Sequence, residues 1–204
     1  MLVFWNERLV FLATPKTGST AIEVALESLA TVSIQRPPEL KHSPATPYQR
    51  FLRPYLNRAS SAQFEAVALM REPVDWLGSW YRFRRRDAVA NQPNSTRDLS
   101  FSDFVEAYLR PERPPFANVG AQSTFLCRDG VLGVDRLFRY EDIDSFVNFL
   151  EERLNCEVIL PRLNVSPKGD LTLDTELRAR LQEALSADYA LYDAIPQTDP
   201  SPVS

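Results

Sequence analysis

Two short, mainly apolar runs organise the chain. "RLVFLATP" (8–15) stops at Pro15, and "FEAVALMR" (64–71) stops at Arg71, just before Glu72 and Pro73. Each is too short for a buried helix and each leads into a turn followed by helical periodicity, so both read as buried parallel strands. After the first run, Ala21, Ile22, Ala25, Leu26 and Leu29 share one stripe and predict a helix over 19–29. After the second, Pro73 stands where a helix can begin, and "DWLGSWYRFRRRD" sets aromatics on one side and arginines on the other. Further along, "VDRLFRYEDIDSFVNFLEERL" predicts a short strand at 136–139 and a helix at 142–154, with two more helices at 174–185 and 186–194.

Strand, loop and helix in repetition predict an α/β fold, with a central mostly parallel sheet and helices on both faces. Residues 33–60 and 88–100 break the alternation with prolines, arginines and asparagines. They read as irregular insertions of the kind that serve as lids or binding loops. Residues 1–195 are expected to form one domain without internal repeats, and the tail "PQTDPSPVS" (196–204) is expected to fray.

Composition narrows the partners. The 204 residues are 44% hydrophobic and 25% charged, as in globular proteins, and the net charge of −4 gives no general attraction to nucleic acid. No apolar run approaches the roughly 20 residues that span a bilayer, and Glu7 and Arg8 interrupt the N-terminal one. The expectation is a cytoplasmic protein without membrane insertion. Cys127 and Cys156 stand far apart, and His42 is the only histidine. That excludes a disulfide framework and a Cys/His zinc site, and it fits a reducing compartment.

The chemistry concentrates in "FLATPKTGSTAIEVAL" (11–26). A turn that opens a helix presents unpaired N–H groups and a positive dipole end, which suits an anion. Lys16 adds a full charge, Gly18 permits close backbone approach, and the hydroxyls of Ser19 and Thr20 can donate to phosphate or cap the helix. The plainer reading is an ordinary strand-to-helix turn. A nucleoside-triphosphatase loop needs G-x-x-x-x-G-K-[ST]. Here Lys16 precedes Thr17, Gly18 and Ser19 with no earlier glycine, so the loop is a poor γ-phosphate cradle. Nor does an apolar strand end in a lone Asp for Mg²⁺, which weakens the alternative of a P-loop small-molecule kinase.

"TPKTGST" (14–20) resembles the 5′-phosphosulfate-binding loop of sulfotransferases that use 3′-phosphoadenosine 5′-phosphosulfate (PAPS). "VALMREPVDWLGSWY" (67–81) is similar to the family's 3′-phosphate motif, a strand ending in Arg-x-Pro and a helix carrying Ser eight residues on; Arg71 and Ser79 fall in those places. "RYEDI" (139–143), a helix and then "LNVSPKG" (163–169) resemble the late strand, helix and cofactor-covering loop. The matches span about residues 8–170 and are closest to the branch of glycan and heparan sulfotransferases.

The resemblance implies a P-loop-type three-layer domain that moves a sulfuryl group from PAPS to a hydroxyl or amine of a small-molecule or glycan acceptor, leaving adenosine 3′,5′-bisphosphate, with no metal required. It implies donor contacts at Pro15, Lys16, Thr17, Gly18, Ser19, Thr20, Arg71, Ser79, Lys168 and Gly169, with Asn164 and Ser166 as further candidates. Lys16 would stabilise the leaving phosphate and His42 would be the base, with Glu39 as the nearest substitute carboxylate and Lys41 as an aid at the sulfonate. Plainer roles stay open: Arg71 paired with Asp75 or Glu72, Ser79 facing solvent, His42 on the surface. A member that binds an anion without turnover is the third possibility. Arg82, Arg84, Arg85 and Arg86 are expected to form a basic rim, and Trp76, Trp80 and Tyr81 to pack the helix. Acceptor specificity is assigned to 33–60 and 88–118; the acceptor and the oligomeric state are not legible.

Overall fold

The computed structural model describes residues 1–161 and 170–196. Strand β1 (Leu2–Phe4) folds back antiparallel onto β2 (Leu9–Leu12), with Leu2 opposite Phe11 and Phe4 opposite Leu9. Helix α1 (Ser19–Leu26) and edge strand β3 (Val32–Ser33) follow, then α2 (Pro38–Lys41), α3 (Ala45–Pro47) and α4 (Arg53–Ser60). β4 (Glu65–Met70) leads into α5 (Pro73–Arg84), and α6 (Phe101–Tyr108) and α7 (Gln122–Leu126) lead to a small hairpin of β5 (Cys127–Arg128) and β6 (Val131–Leu132). β7 (Arg136–Arg139), α8 (Ile143–Leu154), α9 (Thr175–Ala184) and α10 (Ser186–Asp193) complete the order.

The main sheet runs β3-β1-β2-β4-β7. Its centre is parallel, as expected: Leu12 of β2 pairs with Ala68 of β4, and Met70 of β4 with Arg139 of β7. The β1 side is antiparallel, which corrects the mostly parallel expectation at that edge. The reversal between β1 and β2 spans Trp5–Arg8, and Arg8 adopts φ 55°, the left-handed turn that lets the chain double back.

Side chains alternate across the sheet, so both faces carry core. Leu9, Phe11, Val67 and Leu69 pack against Ile22 and Leu26 of α1 and Phe146 and Leu150 of α8. Val10, Leu12, Ala68 and Met70 pack against Tyr48, Leu56, Phe125 and Leu126. Each fully buried Leu or Phe contributes about 1.5–3 kcal/mol, and helices on both faces follow from that double burial. A third cluster joins α5, α6 and α9 through Trp76, Tyr81, Phe104 and Leu181.

Residues 33–60 are more helical than their prolines announce. The chain passes from α3 through a π-helical turn, Tyr48–Leu52, into α4, and the Arg53 N–H bonds back to the Tyr48 carbonyl. Pro54 then occupies the start of α4, where a missing N–H costs little. Helix α1 stops at Leu26, three residues before the predicted end, because Leu29 and Ala30 bond back three residues to Leu26 and Glu27; Leu29 is left half exposed. Residues 90–100 are irregular, as expected. Among the described residues both cysteines are free thiols.

Candidate functional site

Three parallel strands, β2, β4 and β7, end on the same edge of the sheet, at Leu12, Met70 and Arg139. The segments that leave them are the ones the sequence singled out: 13–18, 71–72 and 140–142. Open α/β sheets bind ligands beyond the carboxyl ends of such strands, where helix N-termini also point.

The first segment is tightly curled. Lys16 has φ 65° and Gly18 has φ 72°. A lysine in that region is uncommon, and such outliers persist only where the surroundings hold them. Here the Thr17 hydroxyl donates to the Thr14 carbonyl at 2.9 Å, and the indole N–H of Trp76 on α5 donates to the Pro15 carbonyl at 2.8 Å. Gly18 sits at the N-terminus of α1, with no side-chain cap and, among the described residues, no acidic residue in the first turn to offset the positive end of the helix. Ser19 is buried, and Thr20 Oγ1 accepts from Lys41 Nζ at 3.1 Å, which leaves its own O–H free to donate. A Cβ added to Gly18 would lie 3.0 Å from Cε2 of Tyr140, which follows β7, so the Tyr140 ring leaves little room for a side chain there.

Arg71 leaves the end of β4 toward this loop. Its guanidinium bonds Asp75 Oδ2 through Nε at 2.6 Å, reaches the Lys16 carbonyl through Nη1 at 3.3 Å and lies 4.6 Å from the centre of the Tyr140 ring. The expected alternative, a pair with Asp75, is therefore present, and it coexists with direct contact to the anion loop. Ser79 is 7% exposed on α5 rather than solvent-facing.

Lys16 is the centre of the electrostatics. Its ammonium lies 3.7 Å from the centre of the Phe83 ring and 5.2 Å from that of Trp80. Burial, with Arg86, Arg71 and Arg84 nearby, pushes its pKa down from the ordinary lysine value to about 7. Among the described residues no acidic group forms an ion pair with it. A half-buried cation with other cations nearby is an arrangement that attracts an anion.

His42 caps α2 and is held against the same loop, its Nδ1 2.7 Å from the Ala13 carbonyl. A carbonyl can only accept, so Nδ1 carries the proton and Nε2 is left as the basic nitrogen. Burial lowers its pKa below the usual histidine value, which keeps it neutral near pH 7. Lys41 pairs with Glu23 at 2.7 Å, and Glu23 is 2% exposed. Glu39 stays exposed.

The basic rim needs correction. Arg84 is buried, and its Nη1 donates to the carbonyls of Pro115 and Phe116 at 2.8 and 2.7 Å. It pins residues 115–118 to α5 instead of facing solvent. Arg82 pairs with Asp75 at 3.1 Å and Arg85 bonds the Tyr81 hydroxyl at 2.5 Å. Trp76 and Tyr81 are core residues as expected, but Trp76 also braces the loop. Tyr140 and Gln122, which touch Arg71, carry neither a charge nor a spacing signal by which the sequence marks them. Lys168 and Gly169, with Asn164 and Ser166, lie outside the described residues. Leu171, just after them, seats on the bare Cα of Gly78 beside Ser79, where a Cβ would come within 2.5 Å of it.

Comparison with known proteins returned one finding. A sequence model described as "Sulfotransferase family" matches residues 1–193, so the chain belongs to the sulfotransferase family. No curated protein and no solved structure gave a match.

Proposed function

We propose that this sulfotransferase uses PAPS as donor and transfers its sulfuryl group in line to a hydroxyl or amine on a small-molecule or glycan acceptor, with Lys16 and His42 as the catalytic residues on a P-loop-type fold. The observation that carries the reading is Lys16 itself: a half-buried ammonium among Arg71, Arg84 and Arg86, next to an uncapped helix N-terminus.

The residues fit such a donor. The N–H groups of Gly18, Ser19 and Thr20 and the hydroxyls of Ser19 and Thr20 belong to a positive helix start suited to the 5′-phosphate. Arg71, with Ser79 buried on the following helix, is suited to the 3′-phosphate through a forked, charge-assisted contact. Bound PAPS supplies the sulfuryl group and the phosphate leaving group. Lys16 stabilises charge on that phosphate, and a preorganised donor of this kind is typically worth about 3–4 kcal/mol in the transition state. His42, with Nδ1–H committed to Ala13, offers Nε2 to the acceptor's proton. No step asks for a metal ion.

Transfer of radiolabelled sulfuryl from PAPS into a mixture of sugar, phenol and amine acceptors tests the proposal. Labelled product formed by the wild type, and lost in both Lys16→Ala and His42→Gln while their folds persist, is the expected result. Product formed undiminished by Lys16→Ala would overturn it.

A further inference from the structure

Arg71 is the last point at which β4 meets the site, and its backbone is held in an unusual way. β7 pairs with β4 only as far as Met70. Beyond that, the side-chain amide of Gln122 takes over the role of a neighbouring strand. Gln122 Oε1 accepts from the Arg71 N–H at 2.9 Å, and Nε2 donates to the Arg71 carbonyl at 2.7 Å. The reverse orientation of the amide would set donor against donor and acceptor against acceptor, so these two bonds fix it. Gln122 is fully buried.

Gln122 is itself anchored. It opens α7, and its backbone N–H donates to Asp188 Oδ2 at 3.1 Å while the Ser123 N–H donates to Oδ1 at 2.8 Å. Asp188, on α10, is 1% exposed. The buried carboxylate of Asp188 is offset by two charge-assisted bonds from backbone N–H groups, which tie the start of α7 to α10. Holding both the N–H and the C=O of Arg71 fixes the two peptide planes that flank its Cα, and so the direction of the Cα–Cβ bond from which the guanidinium reaches Asp75 and the Lys16 carbonyl.

We infer that Gln122 is the positioning residue for Arg71 and that Asp188 is its anchor, so that selectivity for a 3′-phosphate is set from α7 and α10. The inference rests on the reading of Arg71 as the 3′-phosphate ligand.

The test is calorimetric titration of the full chain with adenosine 3′,5′-bisphosphate and with adenosine 5′-monophosphate, alongside ligand-free thermal unfolding. Gln122→Met keeps the side chain's length and removes both bonds. The expected result is that bisphosphate affinity falls about tenfold while monophosphate affinity stays within about twofold, so their ratio collapses. Gln122→Glu keeps the acceptor but sets an oxygen against the Arg71 carbonyl, so it should not restore the preference that Gln122→Met loses. If Gln122→Met does not fold, Asp188→Asn, which keeps one acceptor oxygen, carries the same expectation at smaller size. A wild-type preference for the bisphosphate that these variants leave intact, or an equal loss for both nucleotides, would overturn the inference alone. A wild type that binds both nucleotides equally would overturn the reading of Arg71, and the inference with it.

Discussion

The backbone carbonyl of Lys16 accepts a hydrogen bond from Nη1 of Arg71 at 3.3 Å. One bond thus ties the loop after β2 to the end of β4, and the two candidate phosphate sites are parts of one structure. Arg71 can hold Asp75 and Lys16 together only through a forked guanidinium. Arg71→Lys keeps the charge and loses the fork. It should weaken adenosine 3′,5′-bisphosphate by about 1.5–3 kcal/mol, the worth of a hydrogen bond to a charged group, and leave ADP nearly unchanged in calorimetry.

Protonation gives a second prediction. The folded pKa of Lys16 is about 7 against an ordinary 10.5. Between those values the unfolded chain binds more protons, so stability rises with pH across that window; below it the folded state carries the full cost of a buried cation. Subtracting the curve of Lys16→Met from that of the wild type should isolate this rise. At pH 8, where Lys16 is mostly neutral, an arriving phosphate recharges it. Calorimetry in buffers of different ionisation enthalpy should therefore show proton uptake on bisphosphate binding, absent in Lys16→Met.

Gly18 combines φ 72° with a Tyr140 ring 3.0 Å from where a Cβ would sit. Gly18→Ala should destabilise the fold by about 1–2 kcal/mol from backbone conformation alone, with a further loss from the ring contact. In a double mutant with Tyr140→Ala, thermal unfolding should recover the second part and not the first. Full recovery would mean that the left-handed backbone carries no strain.

Arg84 and Arg82 are two residues apart and should behave differently. Arg84→Met strands the Pro115 and Phe116 carbonyls inside the protein, which predicts a loss of about 3 kcal/mol in urea unfolding. Arg82→Met removes one partly exposed ion pair and should cost less than about 1 kcal/mol. Equal losses would contradict the division between a buried brace and a surface pair.

The sequence was a good guide wherever one face or both faces of an element are uniformly apolar. Leu9–Leu12 and Ala66–Met70 lie in central strands that meet core on both sides, so a short apolar run is sufficient signal. β1 escaped because Glu7 and Arg8 looked like an interruption, whereas they form the turn of a hairpin. The helices of 33–60 escaped because Pro47 and Pro54 read as breakers, and only a π-helical turn reconciles them with a continuous path. α6 escaped too, although Ser100 and Asp103 form a capping box ahead of it.

At the candidate site, Lys16 and Gly18 stand out in the sequence by their place in a strand-to-helix turn, and Arg71 and Ser79 by the resemblance. His42 was singled out by the resemblance and by being the sole histidine, and its bond to Ala13 was not foreseeable. Gln122 lies 51 residues from Arg71 and Asp188 a further 66 away, so no local pattern connects them. The arginine run misled for the same reason: Arg84 turns inward to carbonyls that only the folded chain brings near.

The central claim is that Lys16 is held, at a cost in stability, to receive a phosphate. Thermal unfolding of the wild type and Lys16→Met, each with and without adenosine 3′,5′-bisphosphate at one common concentration about 100 times the wild-type dissociation constant, tests it most directly. Without ligand the variant should unfold at or above the wild-type temperature, because methionine keeps the contact with Phe83 and Trp80 and removes the buried charge. With ligand the wild type should gain about 2.7 kcal/mol and the variant much less, with ADP or ATP plus Mg²⁺ giving the wild type only a small shift. A variant that is less stable alone and gains as much from the bisphosphate, or a wild type stabilised only by ATP and Mg²⁺, would contradict the account.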